Sequence, residues 1–270
     1  MLSSSPKSNV SIFATCVVNH IYPEVGLSTA RVLEYFSCKV SVEQNQSCCG
    51  QPFFNSGFRN DARKLAEKLI ETYKDVPGDI VVPSGSCVSM IRNHYRELIG
   101  PDHSLKSEAE DLAGRIFEFS EYLNKLVTDG DFFSKVDSKT PDKKLPDVVY
   151  HESCHLHRDL GVGDGPEAIL RNLPNINLVN LEQSEVCCGF GGTFAIKYSE
   201  ISAAMMNEKV DLIEKSGADI VTSCDSSCLM NIDGGIRKRG LPVKAKHCLL
   251  YKYDAADERS SVDLGGRRII

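Results

Sequence analysis

The chain has 270 residues, of which 41% are hydrophobic and 25% charged, with a formal net charge of −6. That length suits two globular domains of roughly 100–150 residues, and the acidic balance without a basic stretch argues against a nucleic-acid partner. No apolar run approaches the roughly 20 residues that span a bilayer, and the start, MLSSSPKSNV, has no apolar signal core, so a cytoplasmic protein without a transmembrane segment is expected.

In chain order, strand-like runs near 10–15, 39–43 and 79–83 alternate with helical segments near 24–37 and 57–75. In the second of these helices Phe58, Ala62, Leu65, Ala66, Leu69, Ile70 and Tyr73 share one face, an apolar stripe at the helical period. A helix near 107–128 follows, with Leu112, Ile116, Phe119, Leu123 and Leu126 at helical spacing. The polar stretch DGDFFSKVDSKTPDKKLP (129–146) reads as a linker. Beyond it, strands near 147–152, 176–181, 218–223 and 243–247 surround helices near 165–172, 197–216 and 227–238. From about Asp254 periodicity stops, and 254–270 reads as a mobile tail. Alternation of this kind predicts an α/β protein with two similar domains, 1–128 and 147–253, each a parallel sheet flanked by helices.

Eleven cysteines in a chain without a secretory leader point to metal or redox chemistry rather than a disulfide framework. Eight of them form one pattern written twice. Cys16 precedes Cys48 by 32 residues, and Cys154 precedes Cys187 by 33. Cys48-Cys49-Gly50 matches Cys187-Cys188-Gly189. Cys87 follows Cys49 by 38 residues, and Cys228 follows Cys188 by 40. The flanks repeat as well: NVSIFATC (9–16) with DVVYHESC (147–154), and GDIVVPSGSC (78–87) with ADIVTSCDSSC (218–228). An internal repeat of ligand-type residues predicts two metal centres in two related domains. The cysteines fall after the carboxyl ends of the predicted strands, where open α/β sheets place ligands.

Three chemistries compete for these thiols. A vicinal disulfide would be strained. Structural zinc favours short C-x₂₋₄-C knuckles, unlike separations of 32 to 40 residues. An iron–sulfur cluster held by loops from several strands fits best. The glycine after each pair supplies the backbone freedom for a turn that brings adjacent thiols together. Of the remaining cysteines, Cys38 and Cys248 read as buried free thiols.

The stretches FATCVVNHIYPEVG (13–26), CCGQPFFNSG (48–57), PSGSC (83–87), SCHLHRDLG (153–161), CCGFGGTFAIK (187–197) and CLMNI (228–232) resemble the cysteine-rich, CCG-domain iron–sulfur oxidoreductases. That family includes the B subunit of heterodisulfide reductase and the iron–sulfur subunit of glycolate oxidase. The likeness is strongest to its lactate-utilisation branch. It implies a component of a three-protein iron–sulfur system that oxidises L-lactate to pyruvate, with other iron–sulfur and accessory proteins as partners. It implies one or two clusters, of the [4Fe-4S] type, held by Cys16, Cys48, Cys49 and Cys87 and by Cys154, Cys187, Cys188 and Cys228. The heterodisulfide reductase relatives end the motif as C-x-x-C, with five cysteines per cluster. Here the first half ends PSGSC, and the second ends Cys224-Asp-Ser-Ser-Cys228. Cys224 is a candidate fifth ligand, with a spare thiol beside the site as the alternative.

His151, His155 and His157 flank Cys154. Histidine can replace thiolate on iron, but hydrogen bonding to backbone is the simpler expectation. Arg158 could hold a lactate carboxylate or pair with Asp159 or Glu152 on the surface. Gly189-Phe-Gly-Gly192 lacks the spacing of a nucleotide loop and reads as close packing around the second site. The sequence carries no flavin or nicotinamide fingerprint and names no catalytic residue. The alternatives are a heterodisulfide reductase-like or glycolate oxidase-like subunit and, in a different class, a structural zinc-binding scaffold.

Overall fold

Two four-stranded parallel sheets organise the computed structural model, which describes residues 8–127 and 144–249. In the first sheet β1 (Ser8–Ile12) pairs with β2 (Cys38–Val42) and β3 (Asp79–Val82), and β3 pairs with β4 (Ile116–Glu118), giving the order β2-β1-β3-β4. The second sheet repeats this as β6-β5-β7-β8, from β5 (Asp147–Tyr150), β6 (Asn177–Leu178), β7 (Ile220–Ser223) and β8 (Lys244–His247). Two compact units divide between Tyr122 and Leu123, with one sheet in each. Most of the expected linker (129–146) and all of the expected tail (254–270) lie outside the described residues. Among the described residues, no helix is long and apolar enough to cross a membrane.

Parallel neighbours require crossover connections, and helices supply them. Pro23–Tyr35 joins β1 to β2 and Arg59–Tyr73 joins β2 to β3. In the second unit Gly165–Arg171, Ser199–Ser216 and Ser226–Arg239 play the corresponding parts. The apolar stripe predicted on the 57–75 helix is the buried face: Ala62, Ala66, Leu69, Ile70 and Tyr73 are inside, while Phe58, just before the helix, is exposed. The central strands are covered on both sides, so β3 reads as an apolar run, with Ile80, Val81 and Val82 wholly buried.

One predicted element differs. The helix expected over 107–128 is two helices, Lys106–Arg115 and Phe119–Val127, separated by β4. Ile116 satisfies a helical stripe, but Ile116–Glu118 extends to complete the sheet beside β3. Buried Glu118 then turns the chain back into helix. Its carboxylate accepts from the Ser120 backbone N–H at 2.7 Å and from the Ser120 hydroxyl, meeting donors that a helix start leaves open. Arg92 locks the junction, donating to the Ile116 carbonyl at 2.9 Å and to the Glu121 carboxylate at 2.9 Å.

The strand order reverses direction between β1 and β3, and again between β5 and β7. Loops leaving the carboxyl ends of such neighbours diverge and open a crevice. Cys16, Cys87, Cys154 and Cys228 lie just past the ends of β1, β3, β5 and β7, which border these two crevices, and the two Cys-Cys pairs come from the loops after the edge strands β2 and β6.

Candidate metal centres

Each half gathers its four thiols by the same local means. Cys16 opens the short helix Cys16–His20, whose N-cap Thr15 accepts from the Val18 N–H at 3.3 Å. Cys87 lies in the first turn of Gly85–Ser89, which continues through a π-type turn into Tyr95–Ile99. This helical run is not announced by the sequence spacing. In the second half Cys154 leads into the π-type turn His155–Asp159. Cys228 lies in the first turn of Ser226–Arg239, which Asp225 caps by accepting from the Ser227 N–H at 3.1 Å. Amide groups at helix starts favour thiolate over thiol.

The Cys-Cys-Gly turns complete the sets. Gly50 has φ +86° and Gly189 has φ +84°, a left-handed conformation that glycine alone adopts without strain. Each glycine also lies against the next helix. A Cβ on Gly50 would sit 3.2 Å from the Ala62 carbonyl oxygen, and one on Gly189 would sit 2.6 Å from that of Ser202. The turn points the glycine N–H back at the first thiol of the pair, at 3.5 Å from Cys48 Sγ and 3.4 Å from Cys187 Sγ.

The sulfurs meet in the order Cys16–Cys48–Cys49–Cys87 and Cys154–Cys187–Cys188–Cys228. Cys49 and Cys87 Sγ are 3.4 Å apart. In each set the last two members are buried, while Cys16 is exposed and Cys48, Cys154 and Cys187 are half-buried. Each site is thus an inner pair of thiols with an outer pair at the mouth. Hydrogen bonds from Cys16 and Cys49, with the Gly50 N–H, outweigh burial and bring Cys48 down to about 3. Donating to Cys48 pushes Cys16 and Cys49 up, and burial adds to both shifts. Cys187 is likewise lowered, first by Cys154 and Cys188, while those two are raised by donating. A cation is needed to hold four thiolates together.

The donor set fits a metal or metal cluster bound through thiolate. It consists of soft sulfurs at the mouth of a crevice, with backbone N–H groups directed at them. Among the described residues, His151, Cys188 and Cys228 each place one ligand atom within 4.8 Å of the other two.

Cys224 is not brought into the second set. Side chains alternate along β7, and Cys224 falls on the face of Ile220, packed with Tyr150 and Cys248, while Cys188 and Cys228 pack with Val221 on the other face. Its sulfur lies 3.2 Å from that of Cys248 and 3.7 Å from the Tyr150 hydroxyl. Cys38 is buried at the start of β2, where the Ser8 hydroxyl reaches it at 3.5 Å.

Of the three histidines, His157 faces Glu152 at 2.8 Å and His155 lies 3.6 Å from Cys154 Sγ. His151 is wholly buried, with Nδ1 3.0 Å from the Ser184 carbonyl, and burial, with Lys209 nearby, lowers it to about 4. Arg158 reaches the Glu185 carbonyl at 3.4 Å. In the glycine-rich turn a Cβ on Gly191 would meet Phe194 Cβ at 2.8 Å, whereas Gly192 has open space around it.

Several supporting residues carry no motif. Tyr95 Oη donates to the Cys49 carbonyl at 3.0 Å, and Asn231 Nδ2 donates to the Cys188 carbonyl at 2.8 Å. Unrelated side chains thus anchor equivalent carbonyls. Lys209, also buried, donates to the Gln183 and Ser184 carbonyls. Counting from the residues that abut the two glycines, Ala62 and Ser202, the first half has Leu69 where the second has Lys209. Phe13 similarly stands where the second half has His151. The repeat was the signal available for these positions: apolar residues in one copy face ionisable ones in the other.

Two thiol-lined crevices on two copies of one parallel sheet define the class, and the chain belongs to the cysteine-rich CCG domain family, whose model matches residues 10–92 and 148–233. The relatives are specific. The chain is 39% identical over 240 residues to lactate utilization protein A of Exiguobacterium sp., covering 88% of this chain and 94% of that protein. It is 40% identical over 239 residues to lactate utilization protein A of Shouchella clausii, covering 88% and 96%. To the protein of the same name from Halalkalibacterium halodurans it is 39% identical over 238 residues, covering 88% and 93%.

Proposed function

We propose that this chain is an iron–sulfur oxidoreductase component of a cytoplasmic multi-protein system that oxidises L-lactate to pyruvate. The observation that carries the reading is the pair of four-thiol sets at the carboxyl ends of two like sheets. The relatives that share nearly the whole chain are named for lactate utilisation.

Cys16, Cys48, Cys49 and Cys87 would hold one cluster, and Cys154, Cys187, Cys188 and Cys228 the other. When bound, such a cluster accepts and passes on single electrons. The residues around it do the rest. Cys49, Cys87, Cys188 and Cys228 exclude water from the inner side. The Gly50 and Gly189 amides direct donors at the outer thiols, and Tyr95 and Asn231 fix the turns. The exposed position of Cys16 and the half-buried Cys154 leave one side of each site open to an electron partner.

The test is anaerobic purification followed by metal and acid-labile sulfide analysis. Iron with sulfide, and visible absorption that bleaches on reduction, is the expected result. Stoichiometric zinc without sulfide, after attempted cluster reconstitution, would sink the reading.

A further inference from the structure

The two sites share four thiols but differ in one buried side chain. Strand alternation puts His151 on the same face as Val149, toward Cys188 and Cys228. A ring nitrogen of His151 and the two sulfurs all lie within 4.8 Å of one another. Nδ1 is committed to the Ser184 carbonyl at 3.0 Å. A carbonyl only accepts, so the imidazole proton is on Nδ1 and Nε2 keeps its lone pair. Nε2 is buried with no hydrogen-bond partner.

The support behind the ring is itself fixed. The Ser184 carbonyl also receives Lys209 Nζ at 3.2 Å and the Glu152 N–H at 3.2 Å, and the Ser184 hydroxyl donates to the Glu152 carboxylate at 2.8 Å. A carbonyl that receives one ring N–H and leaves the other nitrogen for a metal is the usual way a ligating histidine is oriented. The first half gives the contrast. Phe13 holds the equivalent place, packed edge-on to Tyr73 with ring centroids 6.2 Å apart, and offers no donor atom.

We propose that His151 ligates the metal centre of the second site through Nε2, which makes that site a mixed sulfur–nitrogen centre and leaves the first all-thiolate. This rests on the iron–sulfur reading above. When Cys188 and Cys228 lose their protons to bind metal, neither can donate to Nε2. Three lone pairs then converge in a buried space, and a cation satisfies all of them. An imidazole nitrogen among the thiolates sets the reduction potential of the second centre apart from that of the first.

The experiment uses the full chain, cluster-loaded, with ¹⁵N-labelled histidine. Pulsed electron paramagnetic resonance on the paramagnetic state should show a strongly coupled nitrogen. The coupling should vanish in His151→Phe, which copies the first site, while iron and sulfide at the first site are retained. If His151→Phe does not fold, His151→Cys serves: it keeps a donor, should lose the nitrogen coupling, and should lower the midpoint potential of the second cluster. Absence of a strongly coupled nitrogen in the loaded wild-type chain, or its persistence in either variant, overturns the assignment. A wild-type chain that takes up no iron and sulfide overturns the iron–sulfur reading as well, which separates the two failures.

Discussion

Replacing the glycine of each Cys-Cys-Gly turn by alanine should damage the two halves unequally. Both positions are left-handed, φ +86° at Gly50 and φ +84° at Gly189, and an L-residue there costs about 1–2 kcal/mol. The surroundings differ. At Gly50 the new methyl would lie 3.2 Å from the Ala62 carbonyl oxygen, a tight contact that a small adjustment relieves. At Gly189 it would lie 2.6 Å from the Ser202 carbonyl oxygen and 3.0 Å from Met205 Cβ, so the helix Ser199–Ser216 itself must move. Overpacking of that kind adds about 1–3 kcal/mol. Gly189→Ala should therefore cost about 2–5 kcal/mol and Gly50→Ala about 1–2 kcal/mol. For a unit of this size, 1 kcal/mol shifts the midpoint by roughly 3–6 °C, so Gly189→Ala should melt the second unit about 6–30 °C early. Thermal unfolding of metal-free protein measures this without a contribution from metal binding. Equal shifts, or a larger one in Gly50→Ala, would refute the packing argument.

Three further outcomes are expected. In reduced, metal-free protein at pH 6, an alkylating reagent followed by peptide mass analysis should label Cys48 and Cys187 first, because hydrogen bonds from neighbouring thiols lower both well below the usual thiol value. Dominant labelling of buried Cys49 or Cys188 would contradict this. Tyr95→Phe removes the donor to the Cys49 carbonyl at 3.0 Å and should cost about 1–2 kcal/mol, with iron lost from the first site while the second keeps its own; unchanged melting and iron content would count against the anchoring role. Cys188→Ser should abolish lactate-dependent electron transfer with partner proteins present, whereas Cys49→Ser should retain part of it, and neither the wild-type chain nor the variants should turn over lactate alone at the rate of the assembled system; the opposite ranking would show that the first site is the active one.

The sequence by itself determined the repeat, the sheet-and-helix alternation and the eight thiols, because soft ligands in a fixed order are a chemical pattern that survives without coordinates. It also required glycine after each cysteine pair, since only that residue takes the left-handed turn freely. Other features were decided by tertiary contacts. Ile116 fits a helical stripe, and only an open edge beside β3 draws it and Phe117 into a strand. Cys224 stands four residues before Cys228, yet it faces Cys248, because side chains alternate along β7 and one sheet face is closed to the site. His151 and Lys209 look like ordinary polar residues in the sequence. Burial beside the second set of thiols, where the first half has Phe13 and Leu69, is what separates the two sites. A ligand type can be read from one residue, but the direction it faces depends on its place in the sheet and on what packs behind it.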